Sequence, residues 1–276
     1  MWLILTKKRL IYITLILLIV AGTLFYFNYN DIQETSVVDT NKPKGYVVII
    51  IDDFGYGGDG TKEMLDLEIP ITAAVMPFKS HSHLDAQLAV DHNKEVILHM
   101  PMETNSRHKE WVGKKSIECK LGNQDIKDLL DLAFEDIGYA VGMNNHMGSR
   151  ATQDIRVMTR VMEVIKDKDL FFVDSRTSPT SMAKKAADTV GVPFFTRNIF
   201  LDGTQNISFI KKQLNKLSDI ALRNDYAIAI GHVGPEGGKV TAKAIKELYP
   251  SMQKKGIKFV TISELMEILS ECQNQQ

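Results

Sequence analysis

Only two cysteines, Cys119 and Cys272, occur in 276 residues. That excludes a disulfide-framed scaffold and leaves two free thiols as the expectation. An excess of charge is missing too: the net charge is −1, so composition gives no reason to expect a nucleic-acid partner. No Gly-x-x-x-x-Gly-Lys-Ser/Thr loop is present to cradle a nucleotide phosphate. Gly55-Tyr56-Gly57-Gly58 follows an apolar run but lacks the dinucleotide spacing. No Gly-x-Ser-x-Gly elbow occurs either, which leaves a serine hydrolase without its nucleophile. The rest of the composition is ordinary: 44% hydrophobic and 24% charged residues, enough to build a core for one large domain or two small ones.

The N-terminus departs from that ordinariness. Lys7, Lys8 and Arg9 precede an uncharged stretch from Leu10 to Phe27, about 18 residues and near the short end of what spans a bilayer. Positive charge before it and Asp31, Glu34 and Asp39 after it place the N-terminus in the cytoplasm and the remainder outside. No small-x-small cleavage site follows the apolar core, and Phe25, Tyr26, Phe27 and Tyr29 suit a membrane interface. We therefore expect a signal anchor over 1–27 in a membrane, with the protein secreted if that segment is cleaved. Polar residues 28–44, closing on Lys42-Pro43-Lys44-Gly45, read as a linker.

From Tyr46 onward, apolar runs alternate with helical patterns. Strands are expected at 46–51, 71–76, 95–99, 141–145, 171–173, 193–196, 226–230 and 258–261. Several are apolar throughout, as parallel strands covered on both faces must be. Helical periodicity marks Asp125–Ile137, Ile155–Lys166, Ser181–Asp188, Ile207–Arg223, Ala242–Leu248 and Ser263–Leu269. Unbroken strand–helix repetition predicts a (β/α) barrel over 45–270, distorted and seven- or eight-stranded, followed by a short tail over 271–276. An open doubly wound sheet is the alternative.

The carboxyl ends of parallel strands share one face, and here they carry reactive residues. Asp52 and Asp53 close Val47-Val48-Ile49-Ile50-Ile51. Adjacent carboxylates resist ionising together unless a cation or hydrogen bonds offset their repulsion. A divalent metal would do so, leaving one carboxylate as ligand and the other as base. His99 ends the third run, where Pro101 is expected to stop the strand, and His146 follows the fourth. With Asp53 they could form an Asp/His/His set with open positions for water and substrate. His232, ending Ala227-Ile228-Ala229-Ile230-Gly231, can donate a proton near neutral pH. Asp174 and Arg197 either orient the catalytic groups or form a buried salt bridge at the mouth. Asp202 either supports Arg197 or caps the segment after it. Trp111 could stack on a sugar or pack on the barrel.

Taken in order, Ile51-Asp52-Asp53-Phe54-Gly55, Leu98-His99-Met100-Pro101-Met102-Glu103, Asn145-His146-Met147-Gly148-Ser149, Phe172-Val173-Asp174-Ser175-Arg176 and Ile230-Gly231-His232 resemble the polysaccharide deacetylase superfamily. The resemblance is closest to its divergent branch in bacterial envelope proteins and covers about residues 45 to 270. It implies Asp52 as base and Asp53 as metal ligand. The main family's second histidine ligand, four residues after the first, is replaced here by Glu103, so either His146 or Glu103 completes the set; His146 is preferred. The metal implied is zinc, with cobalt, manganese or iron as alternatives. The implied reaction removes acetyl groups from a cell-envelope glycan. A membrane-tethered module that binds glycan or a partner without turnover is the alternative.

Overall fold

The computed structural model describes residues 14–26, 43–105, 109–234 and 237–274, in two compact units, Met1–Lys42 and Pro43–Gln276. In the first unit, residues 14–26 form helix α1. Among the described residues no helix is long and apolar enough to cross a membrane. The rest of the anchor expected over 1–27, and most of the linker over 28–44, lie outside the described residues.

The second unit runs in a strand–helix order: β1 (Gly45–Phe54), α2 (Thr61–Leu65), β2 (Thr72–Val75), α3 (Ser82–Asp91), β3 (Glu95–Met102), α4 (Asn123–Ile137), β4 (Gly142–Met147), α5 (Ile155–Asp167), β5 (Phe171–Asp174), α6 (Ala183–Val190), β6 (Phe194–Thr196), β7 (Ile199–Phe200), α7 (Ile207–Asn224), β8 (Tyr226–His232), α8 (Lys239–Lys254), β9 (Ile257–Phe259) and α9 (Ile262–Asn274). The strands form one curled sheet in the order β6-β5-β4-β3-β2-β1-β8-β7, and every strand pairing is parallel. This is an α/β architecture consistent with a distorted barrel. Its two ends are halves of one extended segment: β6 pairs with β5, and two residues later β7 pairs with β8. The strand expected at 193–196 is found as β6, and the chain then changes partner to form a further short strand, β7.

β1 lies at the centre. It pairs with β8 along one edge; on the other, β9 flanks Gly45–Val47 and β2 flanks Ile50–Phe54. Val47 to Ile51 are all fully buried. Alternation along the strand divides the core. Val47, Ile49 and Ile51 pack in a layer with Ile126, Leu130, Val161 and Ile165 of α4 and α5. Val48 and Ile50 face the interior with Ala74, Ile97, Val173, Phe195, Ile228 and Ile230, and Ile262 and Leu265 of α9 join them. At β4, a Cβ on Gly142 would lie 2.3 Å from the Phe171 ring, so no larger residue fits there without moving the ring.

One expectation is corrected. β3 does not stop at Pro101 but runs to Met102. The Pro101 carbonyl accepts from the Ile117 amide at 2.9 Å, on the edge left open where the β2 pairing ends at Leu98. In a strand the nitrogen points to the same side as the carbonyl, so the missing N–H costs the β4 ladder nothing. Cys119 and Cys272 are free thiols.

Candidate active site

The interior alternation set by the core continues into the mouth. Residues 48 and 50 of β1 lead to Asp52, 97 of β3 to His99, 195 of β6 to Arg197, and 228 and 230 of β8 to His232. Asp53 breaks this pattern. By alternation it should point away, but the β1–β2 register slips between Ile51 and Phe54 and Asp53 takes φ 67°. This bulge turns the second aspartate back beside the first. Left-handed backbone in a non-glycine residue costs on the order of 1–3 kcal/mol. Burying five branched side chains at roughly 1.5–3 kcal/mol each outweighs it.

Three donor atoms converge there. The Asp53 Oδ1 lies 3.1 Å from the His146 Nδ1 and 3.4 Å from the His99 Nε2, and the two imidazole nitrogens are 3.1 Å apart. The outer nitrogen of each ring is already committed. His99 Nδ1 is 2.6 Å from the Asn144 Oδ1, and His146 Nε2 is 3.3 Å from the Trp111 carbonyl. Both partners are acceptors, so each ring carries its proton outward and directs a lone pair inward. Asp53 Oδ1 is buried and has no neighbour in hydrogen-bonding geometry. Two inward lone pairs and an orphaned carboxylate oxygen call for a cation. Among the described residues, Asp53, His99 and His146 form the one group of three whose ligand atoms all lie within 4.8 Å of one another. Two imidazoles and a carboxylate suit zinc and neighbouring transition metals. Glu103 is not in this group; its carboxylate accepts from the Cys119 amide at 2.7 Å and faces Arg150 at 3.3 Å.

Asp52 is differently placed. Asn144 Nδ2 donates to its Oδ1 at 2.8 Å, while its Oδ2 lies 3.6 Å from the His99 Nε2. Burial pushes its carboxyl above the ordinary value, although His99, His232 and Asn144 oppose the shift. Burial would also raise Asp53, but the His146 and His99 imidazoles beside it hold it well below the usual carboxylate range. One carboxylate is thus set to stay ionised and the other to take a proton.

His232 has a partner of its own. Its Nδ1 is 2.9 Å from the Asp202 Oδ1, and Asp202 Oδ2 accepts from the His232 amide and the Thr241 hydroxyl. Burial works against the imidazolium, but the hydrogen bond and charge of Asp202 prevail and push its pKa up to about 10. Beside it a cavity of about 410 Å³ is lined by Thr104, Ser149, Thr177, Phe200 and His232.

A profile of divergent polysaccharide deacetylases matches residues 49–266. The chain belongs to this family. An uncharacterised Escherichia coli (strain K12) protein, YibQ, is 33% identical over 231 residues, covering 83% of this chain and 72% of that protein. A crystal structure of an uncharacterised Agrobacterium tumefaciens C58 protein shares the fold with a TM-score of 0.73 at 22% identity, covering 82% of this chain and 90% of that one. Bacillus subtilis PdaA, a family 4 carbohydrate esterase, superposes with a TM-score of 0.50 at 15% identity, over 82% of each chain. Membership of the divergent polysaccharide deacetylase family supports a deacetylase-like activity.

Asp174 and Arg197 form no side-chain ion pair. Asp174 shares the alternation of Phe172, which packs in the outer layer, and its Oδ1 accepts from the Arg176 amide at 2.7 Å. The Arg197 guanidinium donates to the Ser175 and Arg176 carbonyls and lies 3.6 Å above the Phe200 ring. Phe200 in turn faces His232, their ring centres 5.6 Å apart. Asp202 supports His232, not Arg197. Trp111 is half exposed, and its carbonyl holds His146.

Sequence reading missed Asn144 and Asp85. Asn144 stands two residues before His146 on the same strand face, which was the available signal. Asp85 on α3 accepts from the Gly55 and Gly57 amides at 2.7 and 3.1 Å. The glycine-rich turn after Asp53 therefore cradles a carboxylate of the protein itself. A Cβ on Gly57 would lie 2.7 Å from the His81 ring.

Proposed function

We infer that this protein is a metal-dependent hydrolase that removes acetyl groups from a cell-envelope glycan. One observation carries the reading: the Asp53, His99 and His146 donors converge beside Asp52, and His232, paired with Asp202, stands at the same mouth. A divalent cation held by those three donors would polarise the acetyl carbonyl and lower the pKa of a water. Asp52 takes a proton from the attacking water, its raised carboxyl pKa matching that task. Asn144 fixes the base by donating to Asp52 while accepting from His99. As the bond from carbonyl carbon to nitrogen or oxygen breaks, His232 donates its proton to the departing amine or hydroxyl. Thr104, Ser149 and Thr177 offer hydroxyls to a sugar in the adjoining cleft. The apolar stretch at the N-terminus would tether the domain outside the membrane, next to such a substrate.

Acetate release from peptidoglycan, chitooligosaccharides and O-acetylated polymers tests the reading. Chelation is expected to lower release at least about 100-fold, and zinc to restore it. Metal and glycan binding with no acetate from any of these would overturn hydrolysis and leave a binding module.

The pH profile should have two limbs. An acid must be protonated, so activity is lost as pH rises through the His232 pKa, well above the 6.5 of an ordinary histidine. A base must be ionised, so activity is lost as pH falls through the Asp52 pKa, above the ordinary 3.8. Asp202→Asn removes the charge that favours the imidazolium and should move the alkaline limb to lower pH. An alkaline limb of kcat/KM that stays in place in this variant would remove His232 from the acid role.

A further inference from the structure

Beside the mouth, a second cavity of about 240 Å³ is lined by Phe78, Lys79, Pro101, Gly113, Lys114 and Lys115. Two of its walls belong to the active site. Pro101 pairs in register with His146, and Lys79 packs on the turn after Asp53, its Cβ 3.6 Å from where a Cβ on Gly55 would stand. Gly113 lies two residues beyond Trp111, whose carbonyl holds His146.

Two of the three lysines are oriented without being neutralised. The Lys115 ammonium sits 4.2 Å from the centre of the Phe78 ring, and that of Lys79 lies 5.0 Å from the centre of the Tyr56 ring. Ring faces attract a cation and hold it in place while leaving its charge uncompensated. Nearby carboxylates are committed elsewhere: Glu118 to Lys120, Glu103 to Arg150, and Asp136 to the Phe78 amide. Among the described residues, none of the three lysines has a carboxylate within ion-pairing distance. The rim therefore carries three ammonium groups without a carboxylate partner, beside a mouth that holds Asp52, Asp53 and Asp202.

We propose that Lys79, Lys114 and Lys115 form an anion-binding subsite, and that the glycan presented to the mouth carries a carboxylate or a phosphate beside its acetyl group. The subsite rests on the deacetylase reading for its substrate, but its charge selection can be measured without turnover. The probes are acetylated oligosaccharides in three forms: neutral, carboxylate-bearing and phosphate-bearing. Calorimetry with the metal-loaded full chain at low salt should show tighter binding of the acidic forms, and whichever of the two binds better identifies the source of the charge. The acidic-over-neutral preference should shrink as ionic strength rises past about 0.1 M, where the screening length falls to about 10 Å. In the combined Lys79→Gln, Lys114→Gln and Lys115→Gln variant, shown by circular dichroism to be folded, that preference should fall about tenfold, as expected for three partly exposed charge contacts. Wild type binding acidic and neutral probes alike, or a preference undiminished in the variant, overturns the subsite. Acidic preference without acetate release keeps the subsite and sinks hydrolysis; release with no acidic preference does the reverse.

Discussion

Asp53→Ala should give a protein without bound metal and with acetate release reduced at least about 1,000-fold. The Asp53 Oδ1 is the anionic member of the donor group and the atom both inner imidazole nitrogens approach. Without it, two neutral nitrogens 3.1 Å apart remain, and they offer a dication no charge compensation. Alanine also tolerates the left-handed backbone at φ 67° less well than aspartate does. Asp53→Asn separates the two effects, because asparagine accepts that backbone and keeps the shape. Both variants should lose metal by elemental analysis, by at least about 100-fold in affinity, while the asparagine form keeps the thermal stability of the metal-free wild type. Metal content equal to wild type in both variants would displace Asp53 from the ligand set.

Asp52→Asn should separate chemistry from metal binding. The amide oxygen can still accept from Asn144 Nδ2, so the hydrogen bond at 2.8 Å has a counterpart. His99 keeps its contact with Asn144 and its lone pair toward Asp53. The variant should therefore hold metal as wild type does while kcat falls roughly 100- to 10,000-fold, the usual range for loss of a general base. KM should change little, because the base acts only as the transition state forms. Loss of metal along with activity would make Asp52 a ligand and not the base.

Much of this was legible in the sequence, for a physical reason. Strands buried on both faces read as unbroken apolar runs, and parallel strands deliver their last residues to one face. Those two facts place Asp52, His99, His146 and His232 together before any coordinate is known. Alternation refines the placement: with Phe172 in the outer layer, Asp174 goes with it, so the pairing of Asp174 with Arg197 considered from the sequence is absent. The features that could not be read depend on local departures from regular geometry or on backbone atoms. The slip that turns Asp53 inward has no residue signature beyond the pair itself. The hold on His146 comes from the carbonyl of Trp111, which any residue would supply. Asp202 was read as a support for Arg197 or a cap; its partnership with His232 depends on how β7 lies against β8. Pro101 misled, because a missing amide matters only on the edge where a partner would use it.

The flanking of β1 by β8 on one edge and by β9 and then β2 on the other has a kinetic consequence. Amides hydrogen-bonded at the middle of a sheet exchange with solvent only when the whole domain opens, whereas those at loop edges exchange through local fluctuation. Asp52 and Asp53 therefore ride on the slowest-exchanging part of the molecule, while His146 is held from outside by a half-exposed loop residue. In deuterium-labelling experiments protection should decline from β1 toward Trp111, so the donor cluster has one anchored wall and one that can yield.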